Sequence, residues 1–152
     1  MFNKLLNKIE PSASMAIAKR AKEMRQSGID LVDLSIGEPD FSMPENVKQA
    51  VILALEENKT KYTQSQGIFD LRQAIALDIA RKSQAQYSPD QIIVSPGAKQ
   101  AILMALMTLL NPGEEVLTFE PCWHSYKAMI YLALGEYKAF PVFERNAMAK
   151  NK

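Results

Sequence analysis

The sequence predicts an α/β fold with a mostly parallel sheet preceded by helices, and three observations carry that prediction. Residues 12–83 hold helix-length apolar stripes, residues 91–143 alternate short apolar runs with helical ones, and helices rather than tight hairpin turns separate those runs. Strands joined through helices of that length favour parallel pairing with right-handed crossovers, and helices then cover the sheet.

Each element has its own signals. Ser12 or Ser14 caps a helix through MAIAKRAKEMRQ, where Met15, Ile17, Ala18, Ala21 and Met24 form one apolar stripe and Gly28 ends it. LVDLSIG then alternates as a strand does and runs into the turn Gly37-Glu38-Pro39-Asp40. Ser42 and Pro44 open a second helix with Val47, Ala50, Val51, Ala54 and Leu55 on one face, up to Asn58. After the polar connection KTKYTQSQG, a third helix starts near Ile68 and carries Leu71, Ile75, Ile79 and Ala80 at helical spacing. From Gln91 the order becomes strand QIIVS, helix AKQAILMALMTLL, strand EEVLTFE, helix WHSYKAMIYLAL, Gly135 and strand YKAFPVF, two consecutive βαβ units with about three parallel strands. The closing RNAMAKNK has neither periodicity nor a cap, so the sheet is expected to stop unfinished, with unpaired edges and an uncovered apolar face.

Composition narrows the function. Nearly equal numbers of acids and bases leave a net charge of +1, with no basic block to track a phosphate backbone, so nucleic acid is not an expected partner. One cysteine, Cys122, excludes an internal disulfide, and the opening MFNKLLNKIEPS lacks the apolar stretch of a secretory signal, so a cytoplasmic location is expected. The most apolar segment, residues 101–110, falls far short of the roughly 20 residues a membrane span needs.

In an open parallel sheet, ligands collect beyond the carboxyl ends of the strands, which singles out Ser95-Pro96-Gly97-Ala98-Lys99 and Glu120-Pro121-Cys122-Trp123. In the first, an apolar run turns through Gly97 into a helix whose leading N–H groups, at Gly97, Ala98 and Lys99, suit a phosphate; a plain tight turn reads equally well. In the second, Trp123, the only tryptophan, can lie against a planar heteroaromatic ligand or serve as core or interface packing. Cys122 and His124 make a poor nucleophile pair because residues two apart do not face each other, and a lone histidine is a poor metal site. His124 reads instead as solvated or capping. Gly37 permits close approach of the backbone to another group, and the nearby acids read as solvated.

Taken jointly, Pro11-Ser12-Ala13-Ser14, Gly37-Glu38-Pro39-Asp40-Phe41, Lys59-Thr60-Lys61-Tyr62 with Gly67 and Leu71-Arg72, Gly97-Ala98-Lys99-Gln100, and Pro121-Cys122-Trp123 with Ser125-Tyr126 are highly specific. In this order and spacing, from about Lys8 to Val142, the chain resembles the N-terminal portion of class I aminotransferases of pyridoxal-phosphate fold type I, especially the bacterial aspartate or prephenate subgroup. The resemblance implies a partial three-layer large domain: residues 1–40 belong to the small-domain part, 41–145 to the cofactor-binding large domain, and 146–152 form an unstructured tail.

It further implies that the backbone of Gly97, Ala98 and Lys99 holds the phosphate of pyridoxal phosphate, that Trp123 stacks on its ring and contacts substrate, that Gly37 lies near the substrate carboxylate, and that Tyr62 reaches the phosphate in a partner subunit's site. A homodimer follows, acting on an amino acid and a 2-oxo acid. No catalytic residue is assigned, because no lysine here stands in the serine-lysine context of the family's Schiff-base lysine, and the substrate-clamping arginine and the aspartate facing the pyridine nitrogen lie beyond the matched segment. The chain therefore reads as a truncated, catalytically incomplete aminotransferase, or alternatively as a non-catalytic remnant or split-enzyme subunit that binds a complementing C-terminal chain. An unrelated α/β domain binding a nucleotide or phosphate metabolite at Gly97 is the third reading.

Overall fold

A computed structural model describes residues 3–142. The chain divides into two compact units, Met1–Ile36 with Pro96–Lys152, and Gly37–Ser95.

The first unit opens with a short 3-10 turn over Lys4–Lys8 and then α1, Ala13–Gln26. Ser12 is the N-cap, its Oγ accepting from the Met15 backbone N–H, which settles the choice between the two serines. The chain then lacks the strand expected over residues 31–37. Asp33 accepts hydrogen bonds from the backbone N–H and hydroxyl of Ser35 at 2.9 and 2.6 Å, which closes a local turn, and no strand stands beside the segment among the described residues. Val32 and Leu34 are left 86% and 90% exposed.

The same unit resumes with α4 (Ala98–Leu109), β1 (Glu115–Glu120), α5 (Ser125–Leu132) and β2 (Glu136–Pro141). β1 and β2 pair in parallel, Val116 opposite Tyr137 and Phe119 opposite Phe140, so β1-α5-β2 forms one βαβ unit as the alternation predicts. Side chains alternate across a strand. Val116 and Thr118 therefore share one face, where with Ile102 and Leu106 of α4 and Tyr126 and Ile130 of α5 they line a small apolar cavity of about 180 Å³. Ile130, 1% exposed, is the most deeply buried side chain here, with Met129 and Ala133 beside it. The opposite face carries Leu117, Phe119, Phe140 and Val142, each more than half exposed; Phe119 and Phe140 meet edge to face at 5.8 Å.

The second unit contains α2 (Glu45–Glu56) and α3 (Phe69–Ser83), both close to their expected spans. The strand expected at residues 91–95 is absent. Gln91 instead closes a 3-10 turn over Pro89–Gln91, its side chain accepting from the Ser88 N–H, and Val94 spends its N–H on the carbonyl of Gln66 at 2.8 Å. That one bond brings Val94 over Gly67, where a Cβ would sit 2.7 Å from Val94 Cγ2; with φ at +101°, glycine is required twice over. Arg72 fastens the turn from below. It is 3% exposed and donates to the carbonyls of Gly67 and Pro89, to Gln64 Oε1 and to Asp90 Oδ1.

The sheet thus has two strands among the described residues rather than three, while the α/β class and parallel pairing stand. The segment 146–152 lies outside the described residues.

Candidate functional site

α4 begins directly after Gly97, whose φ of 85° and ψ of 161° turn the chain into the helix. Gly97, the N-cap, makes no side-chain cap bond of its own. The leading N–H groups of an α-helix have no intrahelical acceptor and sit at the positive end of the helix dipole, so Ala98 and Lys99 present donors in a field that favours an anion. A Cβ at Gly97 would meet nothing within 4 Å, so the turn is open on that side.

Trp123 stands two residues before α5, behind Glu120-Pro121, a cis peptide, and is 40% exposed. Tyr126 supports it edge to face at 5.5 Å, and the Lys99 ammonium lies 5.2 Å from its ring centroid. The structure therefore brings together two of the segments singled out in the sequence: the α4 N-terminus and the tryptophan are one lysine side chain apart.

Beside Trp123 opens a cavity of about 400 Å³ lined by Lys8, Glu10, Glu120, Cys122, His124 and Tyr137, among others. Its polar groups are largely paired. The Tyr137 hydroxyl donates to Glu120 Oε1 at 2.6 Å, and partial burial together with that acceptor pushes its pKa up to about 12. The exposed Cys122 thiol lies 3.7 Å from the same hydroxyl. His124 Nε2 and Ser12 Oγ share a hydrogen bond at 3.2 Å, Lys127 pairs with Glu10 at 3.2 Å, and Lys8 pairs with Glu136 at 3.3 Å while lying over the Tyr131 ring. Cys122 and His124 have separate partners. Sequence reasoning missed the polar tether of residues 8–12 to α5 and β2, because its members stand more than 100 positions apart and share no spacing rule.

Gly37 and Tyr62 belong to the second unit. Gly37 has open space where a Cβ would stand, and Tyr62 is fully exposed on the loop before α3. Among the described residues, no group of three or more His, Cys, Asp or Glu side chains could hold a metal ion, and no helix is long and apolar enough to cross a membrane.

The chain is similar to known proteins of one family. The family model for aminotransferase class I and II matches residues 29–150. The chain is 39% identical over 151 residues to an aspartate aminotransferase of Thermotoga maritima, covering 99% of this chain and 39% of that protein. It is 42% identical over 127 residues to the aspartate/prephenate aminotransferase of Thermus thermophilus, covering 84% of this chain and 33% of the relative. The solved aspartate aminotransferase from Thermus thermophilus with maleate superposes with a TM-score of 0.90 at 38% identity, over 94% of this chain and 37% of that one. The chain thus spans between a third and two-fifths of the length of these relatives, along their N-terminal portion. It belongs to the class I and II aminotransferases, a pyridoxal-phosphate-dependent family of fold type I.

Proposed function

We propose that the chain supplies the phosphate-binding turn and the ring-stacking tryptophan of an aminotransferase that moves an amino group between an acidic amino acid, such as aspartate, and a 2-oxo acid. The observation that carries this reading is the 5.2 Å approach of Lys99 to Trp123, which places a helix N-terminus and a planar aromatic face side by side. A phosphorylated pyridine fits such a pair: the amides of Gly97, Ala98 and Lys99 suit its phosphate, the Lys99 ammonium adds positive charge nearby, and the Trp123 indole offers a flat apolar surface. When bound, the cofactor supplies an electron sink that renders the α-hydrogen of an amino acid transferable.

The chain's own residues position and shield. Tyr126 fixes the tilt of the Trp123 ring, and the Tyr137–Glu120 bond steadies the end of β1 from which the ring projects. In the complete enzyme, a homodimer in this reading, Gly37 serves the substrate carboxylate and Tyr62 the partner subunit's phosphate. The chain alone is catalytically incomplete, since no lysine within it stands where the anchoring lysine is expected. A second reading, a non-catalytic subunit or remnant that binds another chain, is favoured by the exposed apolar side chains of β1 and β2.

Because Trp123 is the only tryptophan, its fluorescence reports this site alone. Pyridoxal phosphate added to the full chain should quench it saturably, and pyridoxal, which lacks the phosphate, should need a several-fold higher concentration. Equal quenching by both compounds would remove the helix N-terminus from the proposal.

A further inference from the structure

Tyr62 projects into solvent from a loop whose nearest anchor is a buried arginine. Its side chain is fully exposed, and residues 61–63 make no hydrogen bond or ion pair among the described residues. The first fixed point after it is Gln64. The Gln64 carbonyl accepts from the Gly67 N–H at 2.9 Å, which closes a turn, and Gln64 Oε1 accepts from the Arg72 guanidinium at 2.9 Å. Arg72 Nε donates to the Gly67 carbonyl at 3.0 Å, so one planar guanidinium grips both ends of that turn. The grip has a firm base: Arg72 belongs to α3, donates to the Pro89 carbonyl at 2.7 Å and lies 5.7 Å from the Phe69 ring centroid.

Stability alone does not call for an arginine there. Withdrawing a guanidinium from water is costly, and a well-packed apolar side chain of similar volume stabilises a fold as well or better. Arg72 is buried and its one acidic partner, Asp90, stands at the surface, so ion pairing offsets little of that cost. A guanidinium fork does what an apolar side chain cannot: it fixes several oxygen atoms in place at once. Here the oxygens of Gln64 and Gly67 belong to the turn that follows Tyr62. An aromatic side chain held out from a rigid base is preorganised for a group on another chain, because little backbone freedom remains to be lost on contact.

We propose that Arg72 is a positioning residue: it fixes the turn from Gln64 to Gly67 and thereby holds the Tyr62 hydroxyl where it serves the cofactor phosphate of a partner subunit. The inference rests on the role proposed for Tyr62 above and adds the residue that sets its place. Releasing Gln64 lets the chain swing from further along the loop, and a hydroxyl displaced by about 1 Å no longer bonds well to a phosphate oxygen.

Two variants separate positioning from folding. Gln64→Met removes the acceptor nearest Tyr62 and leaves Arg72 bonded to both carbonyls; Gln64 is exposed, so water replaces its oxygen and the unfolding midpoint should match the parent's. Tyr62→Phe removes the hydroxyl itself. Affinities of the full chain for pyridoxal phosphate and for pyridoxal are read from Trp123 fluorescence for the parent, each variant and the double variant. Tyr62→Phe should weaken pyridoxal phosphate about tenfold and Gln64→Met about three- to tenfold, with pyridoxal changed less than about twofold by either. In the Tyr62→Phe background, Gln64→Met should cost nothing further, since the turn acts only through the hydroxyl. Amide nitrogen relaxation of the unliganded chain should show the order parameters of Tyr62 and Thr63 falling from about 0.85 to below about 0.6 in Gln64→Met. Unchanged affinity in Gln64→Met, additive losses, or equal order in variant and parent would overturn the role of Arg72 and leave that of Tyr62 standing. A parent chain that does not discriminate the two compounds, or a Tyr62→Phe variant that discriminates them as the parent does, would remove the role of Tyr62 and this inference with it.

Discussion

At the scale of single residues, the structure distinguishes side chains whose roles come from position from those whose roles come from partners. Gly67 is held by position: its φ of +101° and the 2.7 Å approach of Val94 Cγ2 to a Cβ leave no room for another residue. Gly67→Ala should cost about 1–3 kcal/mol in chemical denaturation, and adding Val94→Ala should restore only part, because the second change relieves crowding and not backbone strain. Tyr137 is held by partners. Partial burial and the Glu120 acceptor raise its pKa from 10.0 to about 12, so the neutral phenol is favoured in the folded chain. That contribution to stability is present in full below pH 10 and is lost as pH rises from 10 toward about 12. Thermal unfolding of Tyr137→Phe across that range should show a shallower alkaline decline than the parent; parallel curves would mean the phenol is not coupled to folding.

At the scale of elements, helices were legible in the sequence and isolated strands were not. A helix makes its hydrogen bonds within itself, so caps and a 3.6-residue stripe suffice to place α1 to α4 to within a few residues. A strand exists only beside a partner. Residues 31–37 and 91–95 have the alternation or apolar character of strands, yet Asp33 and Gln66 supply the nearest acceptors, and both segments stay irregular. Gly97 to Lys99 and Trp123 were legible as a candidate site because they end apolar runs, whereas the Ser12–His124 and Tyr137–Glu120 bonds join positions that no pattern connects. The buried Arg72 hub is a further case of this kind. Its salt bridge with Asp90 contributes little, since the Asp90 side chain is 86% exposed, and the bonds to two carbonyls and to Gln64 do most of the holding. Arg72→Met should therefore destabilise the Gly37–Ser95 unit by about 2–4 kcal/mol and open the Pro89–Gln91 turn to hydrogen exchange, and Arg72→Lys should not rescue it, because an ammonium cannot span the same acceptors.

At the scale of the whole molecule, family membership and the local site give complementary accounts. The match over residues 29–150 and the 0.90 TM-score fix the family and its fold, and the approach of Lys99 to Trp123 gives the proposed cofactor contacts a physical basis. The central claim is that the chain offers a phosphate turn and a ring face without the anchoring lysine. Incubating the full chain with pyridoxal phosphate, reducing with borohydride and mapping the label by mass spectrometry tests that claim most directly. Scattered, substoichiometric labelling of surface lysines is the predicted result, and one stoichiometric adduct at a single lysine would contradict it.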